Sequence, residues 1–340
     1  MHVYGQYQTV DDALVYHSSM FCNAICNTGV SLFVLISGYY GIKSNLKKWL
    51  SLYNVTTFYG IIFLIACLIR PNDVVNATLI VKCIFPVFFN KYWFITSYLL
   101  LMALSNYIEK MLNALSREEH KTLILVLTLF VIISPTLFIF EIFNDSGKGF
   151  MNMLTMYIIG RYVARYDFPQ LIHKYSKLLV PLMTFVIWMG NELIDRYTGN
   201  RGHLCRDNNV LIVISAVCIF YLFISTADRH NETINKFAKY VFPIYLVHGI
   251  FIEDVSIYLQ TTGIPYILQI FASIVILTLL SITVEAIRKL VLDWAFSRVA
   301  EIESKCIERL CHNDRKSCGF ASTLIFNTVI SCVFFSISCH

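Results

Sequence analysis

Apolar runs about as long as a membrane crossing, separated by short polar loops, recur along almost the whole chain. A helix needs about 20 apolar residues to cross a bilayer. Runs of that order lie at 22–40, 51–69, 92–108, 122–140, 150–163, 178–194, 210–226, 237–257 and 265–284, with a further one at 320–339. A shorter run, 79–89, is interrupted by Lys82 and Pro86 and is expected to be re-entrant or interfacial. Composition agrees with this pattern. Charged residues make up 14% of the 340 residues and apolar ones 57%, whereas a soluble domain carries about 25% charged residues. The expectation is an all-α, polytopic transmembrane helix bundle of nine to ten spans, with membrane lipid as its surroundings. Residues 1–21 are polar and lack the basic-then-apolar order of a signal peptide.

Charge sets the expected orientation. If Lys43 is placed in the cytoplasm and the spans alternate, 20 of the 27 Lys and Arg residues fall in cytoplasmic loops. Arg70, Lys82, Lys91, Lys148, Arg196, Arg201 and Arg206 fall on the other side. A bias of this size over short loops is the usual signature of topology. It accounts for the net charge of +5, and no nucleic-acid partner is expected. Eleven cysteines scatter over both sides and within spans, a distribution that gives no disulfide framework. Cys306, Cys311, His312 and Cys318 fit no standard zinc spacing, and no metal is expected.

The chain is organised around residues 28–43. Here an apolar helix reaches Ser37-Gly38, then two tyrosines, then a basic exit of Lys43, Lys47 and Lys48 leading into Trp49. Glycine beside serine lets a helix bend or approach a neighbour closely, and a break is expected there. A second informative run is 237–257, in which Pro243 is expected to interrupt the helix. Tyr245 and His248 follow at i, i+3 spacing on one face, and Glu253-Asp254 closes the run. Ionisable groups inside spans tend to face a polar cavity or a partner, so His248 is either functional or packed against a carbonyl. His2 and His17 flank the tyrosine-rich start of the chain, where an imidazole at the outer edge can act as a general base.

Three motifs occur in order: Phe33-Val34-Leu35-Ile36-Ser37-Gly38-Tyr39-Tyr40, Tyr92-Trp93-Phe94-Ile95 at the opening of a span, and Phe242-Pro243-Ile244-Tyr245-Leu246-Val247-His248. Together they resemble the acyltransferase 3 family, integral membrane O-acyltransferases of which many acetylate surface polysaccharides. The resemblance covers roughly residues 27–310. It implies a first helix carrying an arginine and a histidine. The arginine has no counterpart here, His2 stands in the region of that histidine, and a helix upstream of Met1 is the expected explanation.

By this resemblance the chain is expected to sit in a bacterial inner membrane and to move an acyl group, most often acetyl, from cytoplasmic acetyl-CoA or another acyl-CoA. The acceptor is expected to be a hydroxyl of a cell-surface carbohydrate or lipid-linked glycan. A sugar hydroxyl needs a base, for which His2 and His248 are the candidates. The tetrahedral intermediate needs hydrogen-bond donors, for which Ser37, Tyr39, Trp93 and the Gly38 backbone are candidates. The donor's phosphates need cations, supplied by Lys43, Lys47 and Lys48 with Arg161 and Arg165. The expected organisation is an outward segment 1–21, a transferase-like transmembrane domain 22–284, a basic amphipathic segment 285–318 and an apolar tail 319–340. The alternative classes are a transporter or lipid flippase built on broken helices, and a truncated, inactive family member.

Overall fold

The computed structural model describes residues 13–71, 73–138, 142–143, 145–199, 202–226 and 231–313, and the backbone alone for a few of these, among them 13–16 and 291–297. His2, the run 320–339 and the side chains of Cys306, Cys311, His312 and Cys318 lie outside the described residues. Numbered along the chain, the helices are α1 Ala13–Cys26, α2 Thr28–Tyr40, α3 Leu46–Ile69, α4 Ala77–Ile84, α5 Trp93–Ala114, α6 Arg117–Leu127, α7 Ser134–Phe138, α8 Phe150–Tyr166, α9 Gln170–Thr198, α10 Val210–Ser225, α11 Glu232–Ala238, α12 Val241–Thr261 and α13 Tyr266–Asn313. A π-helical turn, Thr128–Ile133, joins α6 to α7. It precedes Pro135, which lacks an N–H and would clash with the carbonyl four residues back; the wider turn shifts that carbonyl away.

Seven helical stretches among the described residues are long and apolar enough to cross a membrane: His17–Tyr40, Leu46–Ile69, Arg117–Leu137, Gln170–Thr198, His203–Ser225, Val241–Thr261 and Tyr266–Leu290. The expected number was nine to ten. Two of the expected spans, at 92–108 and 150–163, form the helices α5 and α8, which are not apolar or long enough. The first ends in Asn106, Glu109, Lys110 and Asn113, and the second has 17 residues with Asn152, Arg161 and Arg165 among them. Some of their polar groups are buried, among them Ser105, Asn152 and Thr155, while Asn106, Lys110 and Asn113 at the end of α5 are exposed.

Several boundaries differ from the sequence expectation. Ala13–Cys26 is helical, and the first stretch long and apolar enough to cross a membrane runs His17–Tyr40, starting before the expected residue 22. The helix α2 continues through Ser37-Gly38 without a break. The run 237–257 is two helices, because the chain turns at Lys239-Tyr240 and restarts at Val241. Pro243 is then the third residue of α12, in the first turn, where an N–H has no partner within the helix to lose. Glu253 and Asp254 lie within α12, which runs to Thr261. The interruption of this run thus lies at Lys239-Tyr240, and neither Ser37-Gly38 nor Pro243 breaks a helix. The expected membrane-leaving segment after 284 is the continuation of a single 48-residue helix, α13.

The chain forms two compact units, residues 1–43 with 90–282 and residues 44–89 with 283–340. In the second unit the Tyr59 hydroxyl donates to Glu285 Oε2 at 3.0 Å, and Arg288 donates to both Glu285 oxygens at 2.8 Å. Buried charges require such pairing. The first unit is centred on α2 against α8. The buried face of α2 is Thr28, Ser31, Val34, Leu35 and Gly38, a helical stripe with three small or short polar members. On α8, Met153, Met156, Tyr157 and Ile158 are each at most 1% exposed, and Tyr157 and Gly160 face α2.

The two backbones meet at Gly38 and Gly160. A Cβ on Gly38 would stand 2.4 Å from the Tyr157 carbonyl oxygen, and one on Gly160 would stand 2.5 Å from that of Leu35. Both obstacles are backbone atoms that cannot swing aside. Gly38→Ala and Gly160→Ala are each expected to cost about 1–3 kcal/mol, as overpacked cores do. Gly29→Ala, on the same helix with nothing within 4 Å of the new methyl, should be tolerated. Thermal stability in detergent, followed by size-exclusion chromatography, separates the three; equal melting of all would contradict the crossing.

Candidate functional site

Two constellations in the first unit gather most of the residues singled out from sequence. The first is an aromatic ladder. Phe94, 8% exposed and the second residue of α5, lies edge-on to Phe33 of α2 at 5.3 Å and to Tyr245 of α12 at 5.4 Å. Tyr98, one turn on, packs 5.2 Å from Phe33. Ser37 Oγ donates to the Phe33 carbonyl at 2.9 Å. Its single hydrogen is thereby used, so at 3.4 Å Tyr98 Oη is the donor to Ser37 Oγ. Trp93 sits beside Phe94 at 6.0 Å. Ser37, Trp93, Tyr245 and His248 are thus linked through Phe33, Phe94 and Tyr98, which sequence reasoning did not assign to the site.

His248 completes the ladder. Its ring is 5.5 Å from Tyr245, and its Nδ1 bonds the Tyr245 carbonyl one turn back. A carbonyl only accepts, so Nδ1 carries the proton and the lone pair of the neutral ring is at Nε2. The packed arrangement and the chemically useful one are the same here: a carbonyl holds the ring and leaves the basic nitrogen on its other side.

Tyr39 is separate from this ladder. Its ring packs edge-on to Phe220 of α10 at 5.5 Å, with Tyr40 alongside at 5.2 Å. The Gly38 amide lies inside α2, where the helical ladder uses it.

The second constellation lies where α2, α5 and α8 end together. Arg161 Nε stands 2.8 Å from Glu109 Oε1 as an ion pair, its N–H not aligned on the oxygen. Arg161 Nη1 donates at 3.4 Å to the carbonyls of Gly38 and Tyr39. Arg165, one turn on, donates to the Leu112 carbonyl at 2.7 Å and to the Asn113 side chain, and pairs with Glu109 Oε2 at 3.6 Å. Tyr157, one turn before Arg161, donates to Glu109 Oε1 at 2.7 Å. The Ile42 N–H donates to Tyr157 Oη at 3.3 Å. Two guanidinium groups thus share one carboxylate, and the surplus is one positive charge beside the Lys43 turn.

Glu109 was not among the residues singled out from the sequence. The signal that points to it is Arg161 and Arg165 at i, i+4 on one helix face, an arrangement that calls for a carboxylate partner near the membrane.

The other basic residues divide between the two units. Lys43 belongs to the first, and Lys47 and Lys48 open α3 in the second. The Lys48 N–H is capped by the Asn45 side chain at 2.8 Å. Glu301, bonded by Lys305 at 2.7 Å, has its carboxyl held below the usual range by that lysine first and by Lys47 to a lesser extent.

At the opposite end of the first unit, side-chain amides close the bundle. Asn27 Nδ2 donates to the Cys205 carbonyl. Asn191 accepts from the Leu204 N–H at 2.8 Å and donates to Cys205 Sγ at 3.1 Å. His203, 2% exposed, bonds the Thr136 carbonyl at 3.3 Å. His17 Nδ1 lies 3.6 Å from Glu192, which also pairs with Arg196.

Residues 1–286 match the family model described as the acyltransferase domain, Acyl_transf_3. No curated protein matches the chain, and no solved structure does. The match takes in α1 to α12 and most of the apolar part of α13, both constellations included. The chain belongs to the acyltransferase 3 family of multi-pass membrane proteins.

Proposed function

We propose that the protein transfers an acyl group, acetyl in the first instance, from a cytoplasmic acyl-CoA to a hydroxyl of a cell-surface or lipid-linked carbohydrate, in a bacterial inner membrane. Family membership carries the acyl transfer. The observation that supports an anionic thioester donor is the surplus positive charge where Arg161 and Arg165 share a single carboxylate, Glu109. The phosphates of CoA match such a site, because guanidinium groups bind phosphate through paired N–H donors.

In this reading the acceptor oxygen attacks the thioester carbonyl and the C–O bond forms. The hydroxyl proton goes to an imidazole, and the C–S bond breaks to release CoA as its thiol once that proton is returned. His248 Nε2 and His2 are the candidates for the base. Tyr98, Trp93 and Tyr39 are candidates for holding the oxyanion. For Ser37 to join them its hydroxyl must turn away from the Phe33 carbonyl.

The direct test incubates membrane vesicles with acetyl-CoA labelled in the acetyl group. Label should appear in an alkali-labile ester on carbohydrate, and His2→Ala and His248→Ala should each reduce it. Label confined to protein or lipid would overturn the acceptor class.

Orientation is tested with single cysteines in a cysteine-free background. Tyr197, 87% exposed, is the reporter for the far end, because the Cys205 thiol is engaged by Asn191. Tyr197→Cys should react with an impermeant maleimide in intact cells, and Lys47→Cys only after permeabilisation. The reverse pattern would invert the topology.

Donor binding by the basic exit makes a third test. Lys47→Ala with Lys48→Ala should raise the donor KM and leave acceptor KM nearly unchanged. The effect should shrink as salt rises, since exposed charges are screened beyond about 8–10 Å at physiological ionic strength. An unchanged donor KM would reduce those lysines to membrane anchors.

A further inference from the structure

Glu109 touches neither the ladder nor the turn at Lys43, yet three groups of α8 converge on it. Tyr157, Arg161 and Arg165 stand at i, i+4 and i+8, on one stripe of the helix, and each reaches the same carboxylate. What the first two do with their remaining capacity is the informative part. The last carbonyls of a helix have no partner within it; at the end of α2 the Gly38 carbonyl accepts from the Gly41 N–H at 3.2 Å, and Arg161 Nη1 donates to it and to the Tyr39 carbonyl. The next amide beyond the turn, that of Ile42, donates to Tyr157 Oη. Between them Gly41 has a φ of 74°, which favours glycine, and a Cβ there would lie 3.3 Å from Arg161 Nη1. The turn that delivers Lys43 is therefore clasped by two side chains, and both are held by Glu109.

We infer that Glu109 is a positioning residue: through Arg161 and Tyr157 it fixes the turn from Gly38 to Lys43, and so sets where Tyr39, Lys43 and the two guanidinium groups meet an anionic donor. The second half rests on the acyl-CoA reading above; the first half does not. A neutral glutamine can still accept from Tyr157 Oη, but it cannot hold a guanidinium by charge. Arg161 then loses the partner that aims it, and the two arginines repel each other across the vacated position. Aspartate keeps the charge on a stem one methylene shorter and should restore the clasp in part.

The experiment introduces Lys43→Cys into a cysteine-free full chain, alone and combined with Glu109→Gln, Glu109→Asp or Arg161→Lys, in inverted vesicles. The rate of maleimide labelling at position 43 should rise about tenfold with Glu109→Gln, the scale of one lost hydrogen bond to a charged group. It should fall back toward the parent with Glu109→Asp. Arg161→Lys, which keeps the charge but loses the fork to two carbonyls, should also raise it. That variant decides the matter if Glu109→Gln fails to elute as a single species. Labelling rates indistinguishable across all variants would overturn the inference, whatever the protein's substrate.

With position 43 restored to lysine, Glu109→Gln should raise the KM for acetyl-CoA about tenfold with kcat within twofold, and Glu109→Asp should recover most of it. Loss of kcat alone would overturn the donor half of the inference. A rise in labelling without any acetyl transfer by the parent protein would sink the acyl-CoA reading and leave the positioning role of Glu109 standing.

Discussion

The first unit depends on one contact between backbones, that of Gly38 on α2 with Gly160 on α8. Lipid is as apolar as a leucine side chain, so helices in a membrane gain little from simple burial; close approach and polar contacts must hold them. Two glycines facing each other allow that approach. The consequence reaches beyond packing, because Tyr157 and Arg161 lie three residues before and one after Gly160. Bringing the two helices together carries both side chains to the end of α2, where they meet the Gly38 and Tyr39 carbonyls and the Ile42 amide. The contact that assembles the fold also assembles the Lys43 turn.

Two ionic clusters show how burial separates structural from exchangeable charge. In the second unit Glu285 and Arg288 have side chains 7% and 9% exposed and pair through two aligned hydrogen bonds, with Tyr59 added. Removing one member would strand a buried charge, at about 3–5 kcal/mol. Glu109, Arg161 and Arg165 have side chains 21%, 19% and 20% exposed, and their ionic contacts are less regular, 2.8 Å but misaligned for one arginine and 3.6 Å for the other. This cluster is only partly buried. The first cluster suits a fixed helix contact, and the second suits a site that changes partners.

What the sequence made legible follows from the range of the interactions concerned. Apolar length is a local property, and it correctly announced a helical membrane bundle. The helices α5 and α8 escaped that rule because their polar residues, Asn152 and Glu109 among them, find partners inside the protein. Ser37-Gly38 read as a break because a glycine that bends a helix and one that admits a neighbour look alike in sequence. What tells them apart is Gly160, more than a hundred residues away. Pro243 misled in the same way, since its effect depends on whether it stands in the first turn of a helix or its middle. Phe94 and Tyr98 lay within an expected span, and their roles come from Phe33 and Tyr245, far off in the chain.

His248 shows how a structural bond can shape a chemical role. Were Nδ1 facing a donor, the ring would carry its proton on Nε2 and would have no lone pair there to take another. The Tyr245 carbonyl forces the other tautomer. The same tyrosine packs on Phe94, and Phe94 packs on Phe33, whose carbonyl takes the Ser37 proton. A shift of Phe94 would therefore disturb the imidazole and the hydroxyl pair together, although it carries no polar atom in its side chain. Preorganised donors and bases gain their effect from not having to move when charge develops. Under the acyl transfer proposed above, the packing of Phe94 would bear on the chemistry through the groups it positions.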